Sequence, residues 1–321
     1  MHHDWGERDE QWAGIRSELV EVAGTPVHLL RADGPADGPT DGPTQLLVHG
    51  LGGAATNWLD VIGDLAAVGP VVAPDLPGFG RTEPPRPGAS NLRANVSFLR
   101  ALLRHLDVDV VTVHGNSMGG TLAVLLAEAE PVRVERLVLV DPVLPAPRSH
   151  LRDIDRDTLR TFAPFTVPRL GYRVLSRLYA EHTAETLHAL NQSLSHADPT
   201  RVREPLRQIG IENTAYGMRT PWRLDGMVAA GESLMAALLS GRRLNRALDA
   251  VAAPTLLVWG DADRLVRRAT IDATLERRPD VELAVLPGVG HVPMMEDPAG
   301  YLDAVRAFYA RAGVEVSGVV A

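Results

Sequence analysis

Short apolar runs alternate with amphipathic stretches along most of the chain. The runs Gln45–His49, Val68–Ala73, Val108–His114, Arg136–Val140, Thr255–Gly260 and Val281–Leu286 are rich in Leu or β-branched residues and give way to Gly, Pro or Asp. That is the pattern of strands covered on both faces. Segments with helical periodicity lie between most of them: Asn57–Ala67, Ser90–Leu106, Met118–Ala129, Arg267–Arg278 and Pro298–Ala312. Residues 17–31 read as two further strands around the turn Ala23-Gly24-Thr25-Pro26. Strands alternating with helices predict an α/β protein, with a mostly parallel sheet of about eight strands flanked by helices.

One interval breaks the alternation. From Pro142 to about residue 250 no strong strand run occurs, and helical patterns such as Leu151–Phe162, Tyr172–His182, Ala184–His196 and Met227–Leu239 follow a proline-rich start. A single crossover between parallel strands needs only a dozen or so residues. The excess predicts a helical lid over 142–250, inserted into a core formed by 17–141 and 251–312. The ends, 1–16 and 313–321, read as polar or flexible. Between 33 and 43 the tripeptide Asp-Gly-Pro occurs three times, which is turn material for a surface loop.

Composition narrows the functional classes. Apolar residues at 45% and charged residues at 22% fit a globular core. The net charge is −8, there is no Lys, and the 32 cationic side chains are Arg without a dense basic run, so nucleic acid is not expected as a partner. Absence of Cys removes disulfides, thiolate metal sites and a cysteine nucleophile. The first residues lack a basic n-region and an apolar h-region, and no run approaches the ~20 apolar residues of a membrane span. The expectation is a cytoplasmic protein without a membrane partner, of undetermined oligomeric state.

The chemistry concentrates at strand ends. Strand Val108–His114 runs into Gly115-Asn116-Ser117-Met118-Gly119-Gly120 and then a helical run, a G-x-S-x-G in a strand–turn–helix setting. Small neighbours allow the sharp turn that exposes the Ser117 hydroxyl, and the first N–H of the helix, that of Met118, is left free to bind an oxyanion. A serine hydroxyl needs a base oriented by an acid. His291, in Pro287-Gly288-Val289-Gly290-His291, follows the last strand and is the candidate base. Asp263, three residues past the strand-ending Gly260, is the candidate acid. Asp141, at the end of Arg136–Val140, is a rival, and Asp261 reads as a turn cap. The Gly-rich exit His49-Gly50-Leu51-Gly52-Gly53 makes the Leu51 N–H a second oxyanion donor, with His49 bracing the loop. His114 points into core or loop packing, and Asp75 reads as turn chemistry. The remaining histidines show no paired ligand spacing, so neither a metal nor a cofactor is expected.

Together, His49-Gly50-Leu51-Gly52-Gly53, Asp75-Leu76-Pro77-Gly78-Phe79-Gly80, Gly115–Gly120, Gly260–Asp263 and Gly290-His291 resemble the α/β-hydrolase superfamily over about residues 17–312. The resemblance implies a Ser117–His291–Asp263 triad with Leu51 and Met118 as backbone donors. Asn116-Ser117-Met118-Gly119-Gly120 is similar to the meta-cleavage-product C–C hydrolases of aromatic degradation. Those enzymes typically have a glycine run with a proline in the oxyanion loop and often Trp after the histidine, where this chain has Val292. Both departures favour an esterase or lipase-like member. A serine nucleophile also sets the chain apart from the epoxide hydrolase and haloalkane dehalogenase branches, which use Asp there.

The expected function is hydrolysis of a small-molecule carboxylic ester with an apolar, short-to-medium acyl or aryl group. The alternatives are C–C hydrolysis of a meta-cleavage-product or β-diketone substrate, and a non-catalytic receptor on the same fold. Pocket candidates are Val143, Phe165, Tyr172, Met218, Trp222, Met227 and Val292.

Overall fold

A computed structural model describes residues 4–34, 42–146, 162–167 and 169–311. The chain begins with a β-hairpin, β1 (Arg16–Val22) and β2 (Thr25–Ala32), whose two-residue turn places Ala23 and Gly24 at φ of 50° and 80°. Positive φ at both central residues matches the natural twist of paired strands. Next come β3 (Thr44–Val48), α1 (Leu59–Ala66), β4 (Val71–Pro74), α2 (Leu92–His105), β5 (Val111–Asn116), α3 (Met118–Ala129) and β6 (Val134–Val140). After the helical interval, β7 (Thr255–Gly260), α9 (Arg268–Arg277), β8 (Glu282–Leu286), α10 (Pro293–Glu296) and α11 (Pro298–Arg311) complete the fold.

The eight strands lie in the order β1-β2-β4-β3-β5-β6-β7-β8. β1–β2 and β2–β4 pair antiparallel, and every other pairing is parallel. The α/β class and the mostly parallel eight-stranded sheet follow the sequence pattern. Alternation within β6 shows how both faces are covered. Leu137 and Leu139 join a core layer with α2 and α3, while Val138 and Val140 join the opposite layer with α1 and α11. Parallel strands send their carboxyl ends to one edge, so the loops after β3, β5, β6, β7 and β8 open on the same side of the sheet.

The described residues between β6 and β7 hold α4 (Leu170–Glu181), α5 (Ala184–Ser195), α6 (Glu204–Met218), α7 (Pro221–Ser240) and α8 (Arg242–Ala250), and no strand. Phe165, Leu224 and Val228 form a small core of their own there. Ala230 and Leu234 of α7, and Leu244, Ala247 and Leu248 of α8, belong instead to the core layer against the sheet. The boundary expected at residue 250 is therefore not a packing boundary: the last helices of the interval are built into the main core. The Asp-Gly-Pro loop from 35 to 41, the helix expected at Leu151–Phe162 except its last residue, and 313–321 lie outside the described residues.

The N-terminal segment packs against the core from residue 4 onward. Two 3-10 turns, Trp5–Glu7 and Glu10–Trp12, are each capped by the preceding Asp, and Trp5 and Trp12 are buried beside α1. Trp12 Nε1 donates to Asp60 of α1 at 2.7 Å. From residue 4 onward, the segment read as polar or flexible forms two short helical turns around two buried indoles.

Candidate active site

The turn between β5 and α3 holds Ser117 at φ 57°, ψ −118°, a conformation that costs a non-glycine residue on the order of 1–3 kcal/mol. Its backbone is fully engaged. The N–H donates to the Val140 carbonyl at 3.0 Å, and the carbonyl accepts from Gly120, Thr121 and Val143 N–H at 3.0, 3.3 and 3.2 Å. Glycine is required on both sides because a methyl group at Gly119 would strike the Val48 carbonyl, and one at Gly115 the Gly119 carbonyl. These close approaches press β3, β5 and α3 together at the turn. As the first residue of α3, Met118 has no intrahelical acceptor for its N–H.

Asp263 and His291 are brought together. His291 Nδ1 donates to Asp263 Oδ2 at 2.7 Å, and both side chains are buried. The other Asp263 oxygen accepts from the N–H groups of Leu265 and Val266 at 2.6 and 3.1 Å. With Nδ1 carrying the proton toward a carboxylate, Nε2 is the basic nitrogen of the neutral ring. The two loops close on each other through Gly260, where any side chain would meet the Gly290 carbonyl. Asp261 caps the β8 turn through the Gly288 N–H at 2.6 Å, as its position implied.

Two residues that sequence reasoning passed over tie the histidine to its surroundings. Asn116 Nδ2 donates to the His291 carbonyl at 2.9 Å and to the Val140 carbonyl at 3.2 Å, so the residue before the serine holds the histidine loop. The buried Glu296 carboxylate accepts from Gly290, Ala197 and Asp198 N–H at 2.9, 3.1 and 2.8 Å, while the His291 N–H donates to the Ser195 carbonyl at 2.7 Å. The end of α5 is thereby clasped to the histidine loop. The G-N-S-M-G pattern contained Asn116, but its partners lie far along the chain. Glu296 carried no sequence signal.

The loop after β3 is braced by His49. Its Nδ1 donates to the Gly50 carbonyl at 2.8 Å, and Nε2 accepts the Leu76 N–H at 3.1 Å. Burial pushes this imidazole below its ordinary pKa, which keeps it neutral. Asp75 does more than shape a turn. It accepts from His28 Nδ1 at 2.7 Å and from the N–H groups of Ala55 and Arg81 at 2.7 and 2.8 Å. Burial alone would raise its pKa, yet these donors hold it below the usual carboxylate range. Gly50 lies against the Ser117 Cβ, which puts the Leu51 loop beside the serine.

The pocket candidates separate by position. Val143 bonds to the Ser117 carbonyl through its N–H, and Met227 of α7 reaches over Gly52 in the loop after β3. Val292 is half-buried against the core layer containing α11, and Met218 and Trp222 are half-buried at the α6–α7 junction. Phe165 fills notches at Gly171 and Gly231 and is thus core of the helical segment itself, and Tyr172 is 45% exposed.

Asp141, Asp263 and His291 place a potential ligand atom each within 4.8 Å of one another, the one such group of three among the described residues. A metal there would have to displace the proton between His291 and Asp263. The donor set fits a hydrogen-bonded acid–imidazole pair better than a cation site. Among the described residues no helix is long and apolar enough to cross a membrane.

The family model described as alpha/beta hydrolase fold matches residues 43–298, and the chain belongs to that family. A 2-hydroxy-6-oxononadienedioate/2-hydroxy-6-oxononatrienedioate hydrolase of Paraburkholderia xenovorans is 30% identical over 225 residues, covering 69% of this chain and 71% of that protein. Among solved structures, a putative lipase from Acinetobacter baumannii superposes with a TM-score of 0.74 at 20% identity, over 98% of this chain and 96% of that one. A 2-hydroxy-6-oxo-6-phenylhexa-2,4-dienoate hydrolase from a Rhodococcus strain gives 0.71 at 24%, over 92% and 99%. At these identities the two structures speak to the fold alone.

Proposed function

We propose that the protein is a serine hydrolase of carboxylic esters with apolar, short-to-medium acyl or aryl groups. The observation that carries this reading is the strained Ser117 at the β5–α3 turn, beside a loop in which the buried Asp263 carboxyl holds the His291 ring through Nδ1 at 2.7 Å. In the proposed mechanism His291 Nε2 takes the Ser117 proton as Oγ attacks the ester carbonyl carbon. The tetrahedral oxyanion is held by the N–H groups of Met118 and Leu51, a contribution of roughly 3–4 kcal/mol per donor. His291 then returns the proton to the departing alcohol. Water, deprotonated by the same nitrogen, hydrolyses the acyl-enzyme. The helical segment serves as the lid, with Met227 closing over the loop after β3.

A second reading is favoured by the Paraburkholderia relative, whose name describes a hydrolase of a 2-hydroxy-6-oxo dienedioate. Cleavage of a C–C bond next to a ketone begins with activation of a carbonyl in the same place. Turnover of p-nitrophenyl butyrate and of a vinylogous 1,5-diketone acid, measured side by side, separates the two. The ester reading requires the larger kcat/KM on the butyrate. A larger value on the diketone, with little ester turnover, would replace it with the C–C reading.

A further inference from the structure

Asp141 ends β6 in a strained conformation, φ 44°, and is completely buried. Its N–H donates to the Val258 carbonyl at 2.9 Å, and Oδ1 accepts the Gly260 N–H at 3.1 Å. Oδ2 is buried and meets no donor among the described residues. The nearest titratable groups are Asp263 and His291, which share with Asp141 a buried cluster whose ligand-type atoms lie within 4.8 Å of one another, and Glu296 of α10 also carries charge that acts on it.

Two carboxyl groups this close together in a dry site do not both ionise. The proton goes to the one with fewer donors. Asp263 accepts from two backbone N–H groups and an imidazole N–H, whereas Asp141 accepts from one N–H. A proton on Asp141 Oδ2 turns a buried, unpartnered acceptor into a donor available to the neighbouring Asp263 carboxylate.

We propose that Asp141 is a neutral carboxylic acid that donates a hydrogen bond to the Asp263 carboxylate and so positions the acid–imidazole pair, an inference that rests on the serine-hydrolase reading of Ser117, His291 and Asp263. Burial and the adjacent Asp263 carboxylate push the Asp141 carboxyl well above the usual range, in keeping with that state. The bond draws charge from Asp263, which moderates how strongly Asp263 holds the imidazolium. Strain at a non-glycine residue, retained where it turns a side chain toward the acid, is consistent with a positioning role.

The test combines infrared difference spectra of the resting protein with the pH profile of kcat/KM. At pH 7 the wild type should show a protonated carboxylic-acid C=O band that Asp141→Asn lacks. Asn carries no net charge and keeps an N–H for Asp263, so the acidic limb of Asp141→Asn should coincide with that of wild type. Asp141→Ala removes the donor. It should lower kcat/KM about tenfold, as loss of one hydrogen bond does, and move the acidic limb to higher pH, with Asn restoring both. Absence of the band, or a limb that shifts to lower pH in Asp141→Asn because a negative charge beside His291 has been lost, would each overturn the proposal. The band is readable without any turnover. A protein that shows it yet cleaves no ester refutes the ester reading and upholds the charge state of Asp141.

Discussion

At the residue scale, chemistry is assigned by who donates to whom. Asp263→Asn should keep the fold, since an amide oxygen still accepts from Leu265 and Val266, but it presents the wrong tautomer to His291. A loss of about 10⁴ in kcat with an unchanged melting temperature is expected. Steady-state kinetics beside a thermal melt check this, and a greater loss in Asp141→Asn would move the acid to β6. The places of Ser117, Asp263 and His291 in the loops after β5, β7 and β8 were legible because apolar strand runs precede them and glycines set them off. Asn116, Glu296 and the burial of Asp141 beside Asp263 were not. Their partners are backbone groups or a second carboxyl brought near by the sheet, and local spacing carries no record of those contacts. Asp75 was undervalued for the same reason, since its donors come from β2, the loop after β3 and its own turn.

At the element scale, the sheet was legible nearly strand by strand, because apolar runs closed by turn residues have few other uses. β5 was expected to start at Val108, yet Asp107 at φ 53° and the Val108 N–H bonded to the Leu103 carbonyl belong to the end of α2. Helices α6 and α8 went unread. α6 carries Gly210 and Gly217 within it, and α8 is short and Arg-rich, so neither shows a long apolar stripe. If the helical segment closes an acyl pocket, log(kcat/KM) over p-nitrophenyl acetate, butyrate, hexanoate, octanoate and dodecanoate should rise and then fall. The rising limb should gain up to about 0.8 kcal/mol per methylene. Met227→Ala should move the maximum to a longer chain, because Met227 stands over the Gly52 loop. A monotonic decline from acetate would contradict a lid-formed acyl pocket.

At the scale of the whole molecule, a polar network crosses the core. His114 of β5 accepts from Tyr301 at 2.6 Å and donates to Gln45 at 2.9 Å, joining α11 to β3 and β5. Burial pushes this imidazole down to about 3 from 6.5. Between those values the unfolded chain binds a proton that the folded chain refuses, so the contribution of His114 to stability is whole above pH 6.5 and falls as pH drops, by up to about 1.4 kcal/mol per unit. His196, pushed down to about 4 mainly by burial, acts in the same direction, and Asp141 in the opposite one. Urea unfolding at pH 7 and pH 5 should therefore show a steeper loss for wild type than for His114→Gln, whose amide does not titrate. Equal slopes would mean that His114 is protonated in the fold. The claim on which the rest depends is that one serine of this molecule is the nucleophile. Intact mass after reaction with a fluorophosphonate, followed by peptide mapping, tests it most directly. One adduct per chain on Ser117, lost in Ser117→Ala together with all but ~1% of turnover, is the result predicted. An adduct on another serine, or turnover that survives Ser117→Ala, would contradict it.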